Sequence, residues 1–248
     1  MNLEYVQQAL LSSEYTVCLV GKNMMKRTGL RYLRDSDEAY DLEQKYGYSL
    51  EELYSARMFG TRPHLFYQFY REVILEGIRD PGPAYDALSD LEQMGFLKSI
   101  ITKDVFDLPG RAGCANVFAL HGTVFHNSHC SRCGKEFSMD YIRGSTDIPM
   151  CDECHIPLHP GTSLLGEMVD NKVISQAAHE VSRAELLVLC GLNFGSKLTR
   201  DMIQYFQGKK LILINTEKHY QDERADLVYY GVLDKILPEV VNLLKEKR

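Results

Sequence analysis

The sequence predicts an α/β protein in which helices cover both faces of a parallel sheet and a second, smaller unit is grafted onto it. Short apolar runs rich in β-branched residues recur with helical stretches between them, which is typical of parallel strands and crossover helices. Two segments interrupt this alternation, and one of them carries four cysteines in two Cys-x-x-Cys pairs. The 248 residues are enough for one large domain with an inserted small one.

Five apolar runs are predicted as strands and a sixth is possible. The five are Thr16 to Val20, Ser99 to Thr102, Leu186 to Cys190, Leu211 to Ile214 and Asp226 to Tyr229, and the sixth is Val117 to Leu120. Three runs end in residues suited to line a crevice, namely Val20-Gly21, Cys190-Gly191-Leu192-Asn193 and Ile214-Asn215. Because open α/β sheets bind nucleotides at the carboxyl ends of their strands, we expect a nucleotide site at this edge.

The two interrupting segments are predicted to form one small domain. Residues 31–80 are polar and aromatic, with one helix predicted at a capping box of Ser49 and Glu52 and a second at the aromatic run 66–70, which we interpret as core. The cysteine segment covers about residues 122–164. We predict a small domain of residues 31–80 and 122–164. Residues 1–30, 81–121 and 165–248 then form a large Rossmann-type domain, and the cleft between the two is the expected working site.

Composition excludes several classes of function. The net charge of −6 argues against nonspecific nucleic-acid binding, which needs a basic face. Apolar residues nowhere run long enough to span a bilayer, so no membrane partner is expected. The first eleven residues lack the pattern of a signal peptide. We therefore expect a cytoplasmic protein, in which Cys18, Cys114 and Cys190 remain reduced, buried thiols.

The four paired cysteines predict a structural zinc site. Seventeen residues separate the two pairs, a spacing that lets two knuckles fold back and place four thiolates around one Zn²⁺ ion. All four positions would be filled by protein, so this metal would hold shape and not perform chemistry. The alternatives are two disulfides or cysteines that merely pack. The expected ligands are Cys130, Cys133, Cys151 and Cys154.

Several segments together resemble one known family. They are the loop from Gly21 to Arg34, the run Pro83 to Leu88, the triplet Leu120-His121-Gly122, the four cysteines, the segment from His159 to Glu167, and the strand ends at Gly191, Ile214-Asn215 and Ala225-Asp226-Leu227. In this order, over nearly the whole chain, they resemble the sirtuins, the NAD-dependent protein lysine deacylases. Most of these matches are weak alone, and their order is what makes the resemblance specific.

The resemblance implies an activity and a set of site residues. NAD would be consumed as a co-substrate, or ADP-ribose bound, an acylated protein lysine would be the partner, and His121 would be the catalytic base. The implied nucleotide-binding residues are Gly21, Lys22, Asn23, Thr28, Arg34, Thr102, Lys103, Asp104, Gly191, Leu192, Asn193, Asn215 and Thr216. The implied substrate-binding residues are Leu164, Leu165, Gly166 and Glu167.

The chain departs from the sirtuin pattern in the nucleotide pocket. Gly21-Lys22-Asn23 stands where the family has Gly-Ala-Gly, and Thr102-Lys103-Asp104-Val105-Phe106 stands where it has Thr-Gln-Asn-Ile-Asp. A polar ligand group left without a partner costs about 1 to 3 kcal/mol, so we expect a deacylase that is weak or of altered specificity. The alternatives are a noncatalytic module that senses NAD or ADP-ribose and an interaction scaffold with no ligand.

Individual side chains keep two interpretations each. His121 is the expected base, or it bridges a strand end and the ribbon by hydrogen bonds. Lys22 contacts phosphate or points to solvent, and Arg34 contacts the nucleotide or pins its own loop. Asp104 accepts a hydrogen bond from a ribose hydroxyl, or it pairs with Lys22 or Lys103 and closes the pocket. Phe106 is expected to pack, and Tyr32 to cover the site.

Overall fold

A parallel sheet forms the centre of the molecule. The structure is a computed structural model that describes residues 3–29 and 36–247. Within these ranges the larger sheet has six strands: β1 (Thr16–Val20), β2 (Ser99–Thr102), β3 (Val117–Ala119), β6 (Leu186–Cys190), β7 (Lys210–Asn215) and β8 (Leu227–Tyr230).

The strand order is β3-β2-β1-β6-β7-β8, and all neighbours are parallel. The chain therefore builds one half of the sheet outward from β1 and then crosses over to build the other half from β6. Its topological switch point lies between β1 and β6, where Val20 is in register with Cys190. In sheets of this kind the crevice for a ligand opens at the carboxyl ends beside the switch point. The predicted α/β class is confirmed.

Alternate residues of the central strands point to two separate apolar layers. Cys18 and Val20 of β1 face one cluster, whereas Val17 and Leu19 face the other. Both sides are buried, which explains why the strands are continuously apolar. Helices α1 (Glu4–Leu11), α7 (Pro83–Gln93) and α12 (Leu233–Glu246) cover the first face, and α10 (Asn171–Arg183) and α11 (Lys197–Ile203) cover the second.

A group of short helices occupies the connection between β1 and β2. They are α2 (Lys22–Met25), α3 (Ser36–Tyr46), α4 (Leu50–Leu53), α5 (Ala56–Thr61) and α6 (Pro63–Phe69), which runs on into a π-helical turn, Tyr70–Leu75. The predicted capping box is confirmed, because Ser49 Oγ accepts the amide of Glu52 and the Glu52 carboxylate accepts the amide of Ser49. The predicted aromatic core is confirmed as well: Phe66, Tyr67, Phe69 and Tyr70 are buried.

The cysteine segment packs against these helices. It contains a two-stranded antiparallel ribbon, β4 (Ser128–His129) and β5 (Glu136–Phe137), followed by α9 (Met139–Gly144), while α8 (Leu108–Arg111) precedes it. The Tyr67 hydroxyl donates to the carbonyl of Leu158, and Arg71 donates to the carbonyl of Asp147 at 2.8 Å. These contacts are consistent with one small unit of helices and ribbon, and the domain boundaries stay a prediction. No helix among residues 3–29 and 36–247 has the length and apolarity to cross a membrane.

Candidate functional site

A cavity of about 640 Å³ opens at the carboxyl ends of β1, β2 and β6. Its walls come from the loops that follow these strands, from the segment after β3 and from the helical group between β1 and β2. The structure brings most of the predicted site residues into this one wall: Gly21, Lys22, Asn23, Thr102, Lys103, Asp104, His121, Leu164, Leu165, Gly166, Glu167, Gly191, Leu192 and Asn193. Their assignment to binding or catalysis stays a prediction.

Two glycines let the loops after β1 and β6 touch. The Gly21 amide donates to the carbonyl of Cys190, and the Asn23 amide donates to the carbonyl of Gly191. A Cβ at Gly21 would lie 2.5 Å from Leu192 Cβ, and one at Gly191 would lie 2.5 Å from the Met24 backbone nitrogen. Gly191 also has φ of +68°, which L side chains rarely adopt. Both positions require glycine, so this floor of the cavity is made of backbone.

The Asn23 side chain is buried behind that floor. Its Nδ2 donates to Asn215 Oδ1 at 2.9 Å, and the same oxygen accepts the amide of Thr216. Asn23 and Asn215 are 3% and 0% exposed. The amide that replaces a family glycine is thus bonded to the end of β7. Asn23 Oδ1 and Asn215 Nδ2 are buried and have no hydrogen-bond partner among the described residues.

Four of the predicted nucleotide-binding residues do not join the described wall. Asn215, which is buried, and Thr216, which is exposed, lie at the end of β7 and do not line the cavity. Thr28 closes a turn, because its hydroxyl donates to the carbonyl of Met25 at 2.9 Å. Arg34, like Tyr32, lies outside the described residues. The roles of all four stay predictions.

Asp104 is bonded to the backbone of its own loop. Its carboxylate accepts the amides of Phe106 at 2.9 Å and Leu108 at 3.4 Å, while its own amide donates to the Thr102 hydroxyl. The alternative in which Asp104 pairs with Lys103 is wrong, since the ammonium group of Lys103 contacts Asp201. Burial raises the pKa of Asp104 to about 6 even though the loop amides oppose the shift. Phe106 is 7% exposed and packs as predicted, although it also forms part of the cavity wall.

His121 lies in the turn that follows β3. The Leu120 amide donates to the carbonyl of Thr102, which ties the turn to the end of β2, and Gly122 follows with φ of +68°. The carbonyl of His121 accepts the amide of Ser163 at 2.8 Å. Backbone bonds on both sides therefore hold the half-buried imidazole at the cavity wall, beside the segment that contains Leu164.

The segment predicted to bind substrate is held at both ends. Leu165 forms a parallel bridge with Ser55, in which its amide donates to Tyr54 and its carbonyl accepts from Ala56, each at 3.0 Å. The Glu167 carboxylate accepts the amide of Leu164 and contacts His159 Nε2, both at 2.7 Å. Glu167 therefore fixes the shape of this segment from within.

Sequence reasoning missed part of the wall. Gly195, Ser196 and Lys197 line the cavity from the start of α11, and Lys197 and Lys103 both contact the carboxylate of Asp201. The signal was present, since Ser196 is a good N-cap residue and Lys197 and Asp201 are spaced four apart as a helical ion pair. Pairing across the cavity to Lys103 has no local signature in the sequence.

The four cysteines converge as a metal site requires. Their sulfur atoms all lie within 4.8 Å of one another. The amide of Cys133 holds the pKa of Cys130 at about 7, whereas the neighbouring thiol of Cys133 raises the pKa of Cys154 to about 12. The four thiol sulfurs match the donor set of a closed zinc site, and Cys130 and Cys151 are fully buried. These residues would hold Zn²⁺ away from the cavity.

Relatives and solved structures match the chain over nearly its full length. The NAD-dependent protein deacetylase of Clostridium acetobutylicum is 30% identical over 241 residues, covering 97% of this chain and 98% of the relative. NAD-dependent protein deacylase 1 of Archaeoglobus fulgidus is 27% identical over 248 residues, covering 98% of each. A Sir2 homologue in complex with NAD superposes with a TM-score of 0.85 at 27% identity, covering 98% of this chain and 94% of that one.

A second solved structure, from work on sirtuin substrate affinity, superposes with a TM-score of 0.87 at 26% identity and covers 98% of this chain and 99% of that one. A family model described as the Sir2 family matches residues 24–195. The matched residues include the His121 turn, the four cysteines and Gly191 of the cavity floor. The chain belongs to the Sir2 family.

Proposed function

We propose that this protein is an NAD-dependent protein lysine deacylase of weak activity or altered specificity. One observation carries the proposal: the expected base His121 and the segment Leu164 to Glu167 line the same cavity as the glycine floor at the sheet edge. A nucleotide on that floor and an acylated lysine beside the segment would meet at the imidazole. The deacetylase relatives and the NAD-bound homologue support NAD as the co-substrate.

In this proposal the reaction transfers ADP-ribose to the acyl group. The acyl oxygen attacks C1′ of the nicotinamide ribose, the bond from C1′ to nicotinamide breaks, and nicotinamide leaves with that electron pair. An imidazole nitrogen of His121 takes a proton from a ribose hydroxyl, whose oxygen then attacks the acyl carbon. The bond from that carbon to the lysine nitrogen breaks, the nitrogen leaves as the free amine with that proton, and water adds at the same carbon to give O-acyl-ADP-ribose. No redox change occurs. The backbone bonds at Leu120 and Ser163 would fix the imidazole in position for this step.

Cys130, Cys133, Cys151 and Cys154 would hold a Zn²⁺ ion with a structural role. When bound, it cross-links the two knuckles of the ribbon. The ribbon in turn packs on the helical group that contributes Tyr54 and Leu50 to the cavity wall. Free thiols at all seven cysteines support our further proposal that the protein works in the reducing cytoplasm.

The alternative function is a noncatalytic module that binds NAD or ADP-ribose. Phe106 favours it, because an apolar ring in the cavity wall replaces a family carboxylate on the nicotinamide side. Since this ring offers no hydrogen bond to a carboxamide, we expect ADP-ribose to bind at least as tightly as NAD in calorimetric titrations. A clear preference for NAD would show that other residues have rebuilt the nicotinamide pocket.

Nicotinamide release separates the two functions. We expect slow steady-state release from NAD in the presence of an acylated lysine peptide and no steady-state release from His121→Ala, because turnover then stops at the step that needs the base. His126→Ala is the matched control, since this exposed histidine follows the same turn and does not line the cavity. Steady-state release that survives His121→Ala would contradict the base assignment. Absence of release from the unmodified protein, with ADP-ribose bound, would favour the noncatalytic module.

A further inference from the structure

Two lysines share one carboxylate at the cavity wall. Lys103 Nζ lies 3.3 Å from Asp201 Oδ2, and Lys197 Nζ lies 2.9 Å from the same oxygen and 3.1 Å from Oδ1. Both lysines line the cavity. The Lys103 side chain is 27% exposed and that of Lys197 is 71% exposed. The inner ammonium group is therefore largely shielded from water while the outer one reaches solvent.

This cluster carries more positive than negative charge. One carboxylate cannot neutralise two ammonium groups, and Arg200 lies near enough to add repulsion. Burial lowers the pKa of Lys103, and the charges of Lys197 and Arg200 lower it further, although Asp201 opposes both effects. Lys103 thus occupies a position where an additional anion would be favourable.

The other acids of the wall do not supply that anion. The Asp104 carboxylate is bonded to the amides of Phe106 and Leu108. Glu167 is bonded to His159 and to the amide of Leu164. Glu217, the remaining acid of the described wall, is exposed. Because both lysines line the cavity, the charge that Asp201 does not neutralise lies at the cavity wall.

The cluster also lies at the sheet edge where a nucleotide is expected. Lys103 directly follows Thr102, which is in register with Val20 beside the glycine floor. Lys197 begins α11, the helix that follows β6. The Lys103 side chain reaches from the end of β2 to Asp201 of α11, and Lys103 and Lys197 line the same cavity as Gly21 and Gly191. Phosphates of a nucleotide bound in that crevice would come within reach of Lys103.

We propose that Lys103 and Lys197 form a subsite for a phosphate group of the nucleotide, and that Asp201 is a resident counter-ion which Lys103 exchanges for that phosphate. The ligand class is a nucleoside diphosphate derivative such as ADP-ribose. The inference rests on the proposed nucleotide binding. Lys103 stands where the sirtuin pattern has glutamine, and in this proposal it contributes to the affinity for the nucleotide. No covalent step is involved.

The exchange predicts opposite effects for the two partners of one ion pair. Removing the charge of Lys103 loses a charge-assisted bond to phosphate, so Lys103→Gln should weaken ADP-ribose binding about tenfold. Removing the charge of Asp201 frees both lysines for the ligand, so Asp201→Asn should strengthen binding about threefold or more. A purely structural ion pair would instead give the same direction of change in both variants.

Calorimetric titration of ADP-ribose into both variants tests the proposal. Lys209→Gln is the control, because Lys209 forms an exposed ion pair with Glu185. This variant should bind ADP-ribose with the affinity of the unmodified protein. Lys103→Arg keeps the charge and should keep most of the affinity, which separates charge loss from misfolding. Raising NaCl should weaken ADP-ribose binding to the unmodified protein more than binding to Lys103→Gln.

The failures are distinguishable. Inorganic pyrophosphate, titrated alone, probes the anion subsite without the nucleoside. If ADP-ribose does not bind but pyrophosphate binds in a Lys103-dependent way, the subsite stands and the proposed function fails. If ADP-ribose binds equally to the unmodified protein, Lys103→Gln and Asp201→Asn, the subsite is overturned and the proposed function stands. Equal weakening in both variants also overturns the exchange.

Discussion

Asp104 shows how one substitution, relative to the family pattern, places a buried charge at a strand end. The family's neutral amide is replaced by a carboxyl group whose pKa burial raises to about 6. Its two backbone hydrogen bonds partly offset the loss of hydration, yet they do not restore an ordinary carboxylate pKa. Near neutral pH this carboxylate is therefore charged at a cost in stability.

Asp104→Asn should stabilise the protein at neutral pH. The unfolded-state pKa of an aspartate is about 3.9, below the folded value, so folding takes up a proton and this group's contribution to stability is lost as pH rises from about 4 to 6. The amide carries no such cost. We expect the free energy of unfolding at pH 7 to rise by on the order of 1 to 3 kcal/mol, with no gain below about pH 4.

Urea unfolding of both proteins between about pH 4 and 7.5 measures the effect. Asp140→Asn is the control, because it makes the same change of side chain at an aspartate whose side chain is 89% exposed. A gain that is the same at both ends of this pH range would show that hydrogen bonding, and not charge, is responsible.

Residue-scale prediction from sequence succeeded where neighbours in the chain decide the contacts. The capping box of Ser49 and Glu52 is such a case, since both groups lie within one helical turn. For Asp104, opposite charge suggested a lysine, while the nearest donors were the amides of its own loop. The partner of Lys103 was missed, because Asp201 approaches it only through the crossover of α11.

At the scale of elements, the segment from His159 to Glu167 is the best example of a shape imposed by side chains. One carboxylate, Glu167, joins an imidazole and a backbone amide across a turn that contains Gly166 at φ of +93°. The two ends of the segment are then fixed to the ribbon and to the Ser55 bridge. Leu165 within the segment and Met168 just after it are left exposed at the surface.

Glu167→Ala should loosen this segment, whereas Glu167→Gln should loosen it less. The glutamine oxygen can still accept the Leu164 amide, but alanine leaves that amide without its partner, at a cost of about 1 to 3 kcal/mol. Hydrogen exchange of the Leu164 amide should accelerate by roughly tenfold or more in the alanine variant and only modestly in the glutamine variant. Equal exchange in both variants would contradict the assigned hydrogen bond.

The six strands of the parallel sheet were predicted to within one residue at either end. β7 extends from Lys210 to Asn215 around the predicted Leu211 to Ile214, and β8 is shifted one residue onward to Leu227–Tyr230. β7 carries a strong sequence signal because it is buried along nearly its whole length, whereas β8, at the edge of the sheet, is buried only at Tyr229. The π-helical turn Tyr70–Leu75 was not predicted, since it follows α6 without any break in composition.

At the scale of the whole molecule, one apolar cluster extends from the sheet into the ribbon. It contains Cys18 of β1, Phe66 of α6 and the zinc-ligand candidates Cys130 and Cys151. The ribbon therefore has little core of its own and depends on its metal and on the helices. The sequence predicted which segments interrupt the sheet. It did not predict that the apolar core of the sheet continues into the ribbon, because the contacting residues are far apart in the chain.

Cys151→Ser, or zinc removal by a chelator, should unfold the ribbon while the large sheet survives. Loss of one thiolate weakens the four-sulfur site, whose binding free energy is part of the ribbon's folding free energy. Hydrogen exchange should show lost protection over residues 122–164 and retained protection in β1 and β6. Cys114→Ser is the matched control, since this buried thiol lies outside the four-sulfur group and zinc content should not change. A metal-free protein that keeps full protection of the ribbon would contradict the prediction.

The position of β1 has a consequence for synthesis on the ribosome. One edge of β1 can pair with β2 early, but its other edge pairs only with β6, which is not complete until Cys190 has been added. At roughly 5 to 20 residues per second, this fully buried strand waits on the order of ten seconds or more for that partner. Nascent chains that stop before Leu186 should therefore present an open strand edge, and we expect chaperones to bind those chains and to release the full-length one.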